Sequence, residues 1–386
     1  MDPKTFGPSS PGRLVEIGGG TQAFVPHAPP RGLSLGARAS RSLGEARAAL
    51  GAVDEGARAL PRHDLLFRPF QKREAILSSR IEGTRTTLDE SFVGDATDAA
   101  VDADAREVRN YETAMQLGLV ELRKGRPLSV FVVRDLHREL LSGVRGESKQ
   151  PGEFRDRQVW IGSAGRGIEA AVFVPPPPSH VGPCLDELDA YLRGPRDDDP
   201  LVRAAIAHWH FETVHPFLDG NGRVGRLLIV LQGLAEGVME QPWLYVSPAI
   251  ERRRDEYYDG LDLVRRTGDF ESWIVYFAEI VASASRETLD RLRRLHTLDV
   301  EFRARLVALR SPGPLKLLPH LFANPYVTVA TTRRHLGVAT ARSAQLAITH
   351  LIDQGILEPV EERRRGARGR PATLYRCRAL LDVLRE

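Results

Sequence analysis

The chain has 386 residues, of which 42% are hydrophobic and 27% are charged, and its formal net charge is +3. This length allows two or three domains, and the hydrophobic content can supply proper cores. No run of 18 or more apolar residues occurs, which argues against a transmembrane helix. The first residues lack the pattern of a signal peptide, and Cys184 and Cys377 lie far apart without zinc-type spacing. We therefore expect a cytoplasmic protein without a structural disulfide.

The charge is distributed unevenly along the chain. Residues 311–386 contain twelve Lys and Arg against six Asp and Glu, a net charge of +6, so the remainder carries +3 − 6 = −3. A basic C-terminal segment attached to a mildly acidic body points to a nucleic acid as a partner for that segment.

The predicted elements of the first 310 residues are mainly helical. Residues 1–32 are rich in Gly and Pro and predict an irregular arm. Apolar residues three and four apart predict a series of helices: 34–59, Phe70–Gly83, 104–124, 128–142, Cys184–Leu192, Val202–Thr213, Arg223–Glu236, Pro248–Arg265 and Phe270 onward to Leu309. Between them, Arg157–Val174 predicts a β-hairpin that the run Pro175–Pro178 ends.

A second module is predicted after the breaker Ser311–Pro314. Its elements are helices at Leu315–Phe322, Val329–Leu336 and Arg342–Gln354, and strands at Ile356–Val360 and Thr373–Arg376. Three helices followed by a basic hairpin are typical of a winged helix-turn-helix. The sequence therefore predicts an arm with an accessory helix (1–59), a helical domain (60–310) and a winged-helix domain (311–386).

One run of twelve residues carries the most chemistry: His215-Pro-Phe-Leu-Asp-Gly-Asn-Gly-Arg-Val-Gly-Arg226. A histidine that can accept a proton is followed by a carboxylate that can hold a divalent cation. A Gly-Asn-Gly turn then leads to two arginines three positions apart. Helix N-termini favour anions, and arginine is well shaped for phosphate oxygens. The run indicates a nucleotide phosphate site.

Nine positions of this run match the signature HPFxDGNGRxxR, and the chain thereby resembles the Fic family. The resemblance implies a mainly α fold, a Fic helical core with a small β-hairpin flap. It also implies transfer of AMP from ATP to a Ser, Thr or Tyr hydroxyl of a target protein. His215 would then be the base, Asp219 the ligand of Mg²⁺, and Gly220, Asn221 and Gly222 the N–H donors to phosphate oxygens. Arg223 and Arg226 would bind the β- and γ-phosphates.

The resemblance also assigns roles outside this run. The hairpin corresponds to the family's flap, which would put Gln158, Val159 and Ile161 beside the target. Tyr257 and Tyr258 are candidates for contact with the adenine, with a core position as the alternative. Homodimerisation is common in the family and is expected as a means of regulation.

A shorter motif precedes the main one. Ser78-Ser-Arg-Ile-Glu82-Gly83 matches the family's inhibitory motif [S/T]xxxE[G/N], and its serine and glutamate share a helix face. The resemblance implies that Glu82 pairs with Arg226 and so keeps ATP from binding productively. A helix-capping or surface glutamate is the alternative.

The basic residues of the C-terminal module suggest contact with DNA. Arg342 on the predicted recognition helix and Arg363, Arg364, Arg365 and Arg370 in the wing are the candidates. Protein recognition by the same module is the alternative, since winged helices serve both purposes.

The sequence thus predicts an autoinhibited protein adenylyltransferase that uses ATP and Mg²⁺ and has no membrane partner. Two alternatives stay open. One is a Fic enzyme that mainly removes AMP or uses another phosphate donor. The other is a DNA-binding regulator whose Fic domain senses nucleotide or modifies itself. The absence of GxxxxGK[ST] sets a P-loop enzyme aside.

Overall fold

The computed structural model describes residues 1–58, 63–97, 103–162, 165–309, 311–360, 364–365 and 371–385. Helices dominate, as predicted. The α-helices of the described residues are α1 (Ala37–Arg58), α2 (His63–Ile81), α3 (Leu88–Thr97), α4 (Ala103–Arg123), α5 (Val130–Leu140), α6 (Pro178–Arg193), α7 (Pro200–Val214), α8 (Asn221–Ala235), α9 (Ser247–Arg252), α10 (Arg254–Thr267), α11 (Phe270–Val307), α12 (Pro312–Ala323), α13 (Val329–Leu336), α14 (Ala341–Asp353) and α15 (Arg378–Arg385). The strands are β1 (Gly12–Glu16), β2 (Gln22–Pro26), β3 (Tyr326–Thr328), β4 (Glu358–Pro359), β5 (Arg364–Arg365), β6 (Pro371–Ala372) and β7 (Leu374–Arg376).

The chain divides into two compact units, 1–51 with 109–285 and 52–108 with 286–386. The predicted boundaries near 59 and 310 do not coincide with this division, and the three predicted domains stay a prediction. Among the described helices, none is long and apolar enough to cross a membrane.

The first unit is built around α7 and α8. Every residue of α7 from Leu201 to Val214 is buried, because α6, α8, α10 and β2 pack around it. Trp209 and Trp273 are among the largest fully buried side chains, and both indole N–H groups donate to backbone carbonyls. This rigid centre fixes the place where α7 ends and α8 begins.

The N-terminal arm is not irregular, and that prediction was wrong. Strands β1 and β2 form an antiparallel hairpin with Gly12 opposite Pro26 and Glu16 opposite Gln22. Its turn contains Gly18, Gly19 and Gly20, all with positive φ, a conformation that glycine adopts without steric cost. The glycines that predicted an irregular arm therefore form the turn, and Phe24 anchors the hairpin in the core.

One predicted helix of the first unit is divided. The segment Pro248–Arg265 forms α9 and α10, which are separated at Arg253, where φ is −121° and ψ is 39°. The carbonyl of Arg253 accepts a hydrogen bond from the Tyr276 hydroxyl, a partner that the local pattern did not reveal.

The second unit contains the predicted C-terminal elements. Helices α12, α13 and α14 confirm the three predicted helices, and β4 and β7 lie within the two predicted strands. Strands β3, β7 and β4 form an antiparallel sheet in that order. The breaker at Ser311–Pro314 is the start of α12, because Pro312 occupies its first turn, where no N–H is required.

Residues 52–108 belong to this unit through long-range contacts. Helix α12 packs against α2 and α14, and α3 packs against β3. The Tyr326 hydroxyl donates to Asp89 Oδ1 at 2.8 Å, and Arg385 donates to Asp89 Oδ2 at 2.6 Å. Helix α2 ends at Ile81, and Gly83 follows with φ +99°, which confirms the predicted helix end.

Candidate active site

The candidate site begins where α7 ends. His215 has φ 49° and ψ 61°, a left-handed conformation that is costly for a residue with a side chain. Its N–H donates to Phe211 O at 2.9 Å and terminates the helix. Among the described non-glycine residues, only His215 and Gln150 have positive φ. The turn after Val214 thus directs the histidine out of the buried helix, and its side chain is half-buried.

Asn221 closes the loop that follows. Its Oδ1 accepts from Phe217 N at 2.9 Å, and its Nδ2 donates to Phe217 O at 2.9 Å. Phe217 is fully buried. The sequence assigned Asn221 only to phosphate binding, but its side chain holds the loop together.

The loop leads into the N-terminus of α8. The first backbone bond of this helix runs from Val224 N to Gly220 O at 3.1 Å. The N–H groups of Asn221, Gly222 and Arg223 precede it and have no acceptor within the helix, which makes this end suited to an anion. The predicted role of Gly220 as a phosphate donor needs correction, because its N–H donates to Asp219 Oδ1 at 2.6 Å. Gly220 has φ +78°, which explains the glycine.

Asp219 is the candidate metal ligand. Its side chain is 37% exposed, and its Oδ1 lies 3.5 Å from Nη2 of the fully buried Arg223. Its Oδ2 lies 3.1 Å from where a Cβ on Gly146 would stand. No group of three or more His, Cys, Asp or Glu side chains in metal-binding geometry occurs in the described part of the chain. One accessible carboxylate still fits Mg²⁺, which commonly binds through one or two carboxylates together with substrate phosphates and water.

Arg226 lies on the inner side of α8 and is 1% exposed. Burial, and then the charge of Arg226, lower the pKa of the His208 imidazole to about 3. His208 Nδ1 lies 3.1 Å from Gly225 O and its Nε2 lies 2.8 Å from the Tyr257 hydroxyl. Because a carbonyl only accepts, Nδ1 carries the proton and Nε2 accepts from the tyrosine. His208 therefore has a structural role.

Tyr257 is a core residue. Its ring is buried and its hydroxyl is bound to His208, so the core alternative is the right one and an adenine contact is not. Tyr258 is 42% exposed and stays a candidate for the adenine.

His137 on α5 was not predicted as part of the site. Its Nδ1 accepts from Gly152 N at 2.8 Å, so its Nε2 carries the proton and donates to Asp219 O at 2.9 Å. Its ring stacks on Phe217 with centroids 3.7 Å apart. Burial lowers the pKa of His137 to about 4, so the imidazole is neutral at pH 7. This histidine fixes the backbone of the loop at Asp219.

Arg155 was also missed. It is 2% exposed, and its Nε donates to His215 O at 2.9 Å. Nothing in the local sequence, Pro151-Gly-Glu-Phe-Arg155, distinguishes it from a surface arginine.

The predicted flap is less regular than a hairpin. Within the described residues of this segment, one antiparallel bridge joins Ile161 to Phe173, and residues 168–170 form a 3₁₀ turn. The Gln158 side chain donates to Pro175 O at 3.0 Å, and Val159 and Ile161 are half-buried. The exposed apolar groups are instead Trp160, at 44%, and Val172, at 60%.

The N-terminal hairpin supports one side of the flap. Phe24 N donates to Val174 O at 2.9 Å, and Ala23 packs with Ala171 and Val174 in one apolar cluster. This contact was not visible in the sequence, because the two segments are about 150 positions apart.

The remaining candidates lie in the second unit. Ser78 is buried on α2, and Glu82 follows the helix, with its N–H donating to Ser79 O at 3.1 Å. Arg342 is exposed in the first turn of α14, whose N-cap is Thr340. Arg364 and Arg365 form β5, whereas Arg363 and Arg370 lie outside the described residues.

Comparison with known proteins agrees with this geometry. Residues 127–232 match the model of the Fic/DOC family, and residues 40–120 match the model of the Fic/DOC family N-terminal region. Residues 127–232 are thus similar to the Fic/DOC family, and residues 40–120 to its N-terminal region. The Fic model covers His215, the loop and most of α8.

Relatives of the chain include two proteins from fruit flies, both described as protein adenylyltransferase Fic. The one from Drosophila mojavensis is 28% identical over 269 residues, which is 66% of this chain and 47% of the relative. The one from Drosophila grimshawi is 29% identical over 262 residues, 64% of this chain and 48% of the relative. The matched part is thus about half the length of these relatives.

Two solved structures share the fold. A Fic family protein from Desulfovibrio desulfuricans G20 has a TM-score of 0.57 at 19% identity and covers 91% of this chain and 98% of its own. A Fic domain containing signaling protein from Bacteroides thetaiotaomicron VPI-5482 has a TM-score of 0.51 at 18% identity and covers 68% of this chain and 97% of its own. Both show the Fic fold.

Proposed function

We propose that this protein is an adenylyltransferase that transfers AMP from ATP to a Ser, Thr or Tyr hydroxyl of a target protein or of itself. One observation carries the proposal. His215, whose backbone is in the left-handed conformation, lies just before the N-terminus of α8, and Arg223 and Arg226 are buried along that helix. A proton acceptor next to a site for phosphate oxygens is what in-line displacement at a phosphate requires. The name of the fly relatives supports the choice of reaction.

In the proposed step, the target hydroxyl oxygen forms a bond to the α-phosphorus of ATP, and the bond from that phosphorus to the bridging oxygen of the β-phosphate breaks. Pyrophosphate leaves, and the hydroxyl proton goes to His215. The N–H groups of Asn221 and Gly222 and the guanidinium of Arg223 offset the negative charge that is spread over the phosphate oxygens.

Mg²⁺ would be held by Asp219 and by the phosphates of ATP, and would supply charge neutralisation. The protein itself keeps the carboxylate in place. Gly220 N–H and Arg223 both engage Asp219 Oδ1, which leaves Oδ2 for the metal.

The flap would hold the target. We propose that an extended segment of the target lies along Gln158–Ile161, in contact with the exposed Trp160 and Val172. The main-chain groups give affinity for an extended peptide, and these apolar side chains add a preference for an apolar neighbour of the modified hydroxyl.

We further propose that Glu82 is an inhibitory residue that competes with the γ-phosphate of ATP for Arg226. The motif Ser78–Gly83 supports this, and the burial of Arg226 would make a charged pair stronger there than at a surface. A Fic enzyme that mainly removes AMP would use the same glutamate and is the alternative.

Incorporation of α-labelled ATP into protein tests both proposals. We expect more label with Glu82→Gly than with the wild type, and none with Glu82→Gly combined with His215→Ala. Label that survives His215→Ala would rule out the mechanism. The reverse reaction is tested with target that already carries labelled AMP. If the wild type removes this label and Glu82→Gly does not, the reverse reaction is established instead.

A second candidate function concerns the C-terminal module. We propose that α12–α14 with β3, β4 and β7 form a winged helix that binds DNA, as in a regulator. The exposed Arg342 at the start of α14 and the paired strands β5 and β6 support it. Retention of a promoter fragment from this protein's own gene by the wild type, but not by a variant with Arg363, Arg364 and Arg365 all changed to Glu, would support DNA binding. Equal retention by both would favour protein recognition.

A homodimer and a cytoplasmic location stay predictions. The molar mass in solution, measured by light scattering across a concentration series, tests the first, and localisation of the tagged protein tests the second.

A further inference from the structure

Arg155 is a buried cation that has no acidic partner within the described ranges. Only 2% of it is exposed, and burial lowers the pKa of its guanidinium to about 10. Burying a charge without an opposite charge is costly. The structure offsets that cost through hydrogen bonds, all of which go to backbone carbonyls.

Two of these carbonyls lie at the end of α7. Arg155 Nε donates to His215 O at 2.9 Å, and its Nη2 donates to Val214 O at 3.2 Å. The C-terminal carbonyls of a helix carry partial negative charge and attract a cation. The backbone N–H of Arg155 also donates to Pro216 O at 2.9 Å. One residue therefore bonds three consecutive carbonyls around the left-handed His215.

The other two carbonyls lie at the two ends of the flap. Nη1 donates to Arg157 O at 3.4 Å, at the first residue of the flap, and Nη2 donates to Pro176 O at 2.5 Å, just after it. The flap has an internal bridge of its own between Ile161 and Phe173. The planar guanidinium thus ties both ends of the flap to the backbone of His215, with a fixed geometry that a lysine ammonium lacks.

We propose that Arg155 is a positioning residue that sets the distance between His215 and the flap, so that a hydroxyl docked on the flap meets the imidazole. This inference rests on the proposed function. It predicts a defect in the chemical step, while ATP binding is preserved. The phosphate site is held independently by Asn221 and His137, which bond Phe217 and Asp219.

The test compares Arg155→Met and Arg155→Lys with Arg203→Met, all in the Glu82→Gly protein. Arg203 is the control. It is fully buried on α7 and bonds the carbonyls of Tyr191, Leu192 and Pro195 near the other end of that helix. Unlike Arg155, it also has an acidic partner, Glu236, whose Oε1 accepts from its Nε at 2.9 Å. Measured are kcat for transfer to the target, the Kd of ATP by calorimetry, the Tm, and hydrogen exchange of residues 157–176.

We expect kcat to fall about 100-fold in Arg155→Met and about 10-fold in Arg155→Lys, as for a misplaced reacting group, with the Kd of ATP within about twofold. Hydrogen exchange should rise in the flap. Arg203→Met should lower the Tm while kcat stays within about threefold, because it removes stability and no site geometry.

Two outcomes overturn the proposal. One is a kcat in both Arg155 variants within about threefold of the parent. The other is a loss of ATP affinity that matches the loss of kcat, which would make Arg155 a general support of the fold. If Arg155→Met does not fold, Arg155→Lys decides by the same criteria. If the Glu82→Gly parent incorporates no label, the proposed function fails. Hydrogen exchange of the flap still decides whether Arg155 joins the two segments.

Discussion

The loop Phe217–Gly222 and the flap differ in how they are held. Two side chains hold the loop. Asn221 bonds the backbone N–H and C=O of Phe217, and His137 donates to Asp219 O. In its described part, the flap has one internal bridge, and neighbouring segments hold it: Arg155 at its ends and the N-terminal hairpin along one side. The proposed phosphate site is therefore held by hydrogen bonds to its own loop, whereas the segment proposed to bind targets depends on its surroundings. This arrangement would let targets vary without disturbing the chemistry.

The largest expected effect comes from breaking the loop. Asn221→Ala leaves the buried N–H and C=O of Phe217 without partners, which costs about 1–3 kcal/mol each. We expect the free energy of unfolding to fall by that order and AMP transfer to drop more than about 100-fold. Urea unfolding and label incorporation measure the two.

Gln232→Ala is the matched control, because Gln232 is a buried amide at the other end of α8. It should retain most of the activity. Equal losses of activity in both variants would contradict a special role for Asn221.

The second effect is a loss of stability at low pH. Its cause is a set of buried histidines that are neutral in the folded chain. Burial lowers the pKa values of His137 and His210 to about 4 and that of His208 to about 3, from 6.5. Below pH 6.5 these histidines bind protons in the unfolded chain but not in the folded chain. Their contribution to the free energy of unfolding is therefore fully present above pH 6.5 and is lost as the pH falls toward 4. Each histidine should remove about 2 kcal/mol between pH 7 and pH 5.

Urea unfolding at pH 7, 6 and 5 checks this slope. His137→Phe retains a ring against Phe217 and should reduce the slope by about one proton. An unchanged slope in His137→Phe would show that this histidine is not a buried neutral group.

The third effect concerns the flap. Trp160→Ala combined with Val172→Ser removes exposed apolar surface, so the free energy of unfolding should change by no more than about 0.5 kcal/mol. We expect KM for the target to rise about 10-fold, as for a lost apolar anchor, with KM for ATP unchanged. Steady-state kinetics at varied target concentration measures this.

A suitable control is Val300→Ser, which removes an exposed apolar side chain from α11. It should leave both KM values unchanged. An unaltered KM for the target in the flap variant would remove these two side chains from the docking surface.

The smallest effect concerns the metal. Gly146 has φ +97°, and an added Cβ would press on Asp219 Oδ2. Gly146→Ala should cost about 1–2 kcal/mol of stability and raise the Mg²⁺ concentration needed for half-maximal activity a few-fold. Gly125→Ala has similar strain at φ +75° with nothing near its Cβ, so it should lose stability alone. If Gly146→Ala and Gly125→Ala need the same Mg²⁺ concentration for half-maximal activity, the assignment of Asp219 as the metal ligand loses its support.

Local pattern was sufficient for most helices, and the chemistry of residues 215–226 stays a prediction. Amphipathic periodicity and helix-ending glycines act over a few residues, so α2, α7 and α8 were visible in the sequence. It was insufficient at 12–26, where the glycines of a turn were taken for an irregular arm. The Tyr257 side chain could not be assigned either, because its partner His208 lies 49 positions away.

The order of residues gave the resemblance to the Fic family, the predicted phosphate-binding run and the predicted inhibitory motif, because each depends on side chains that are close in sequence. Packing alone decided which distant residues support that run. Arg155 and His137 acquire their roles only when folding removes them from water and places backbone carbonyls and an N–H within hydrogen-bond distance. Likewise, Asp89 joins Tyr326 and Arg385 across more than 230 positions, which brings residues 52–108 and the C-terminal elements into one unit. A hydrogen bond depends on the distance between two atoms in space, and a linear motif does not specify that distance.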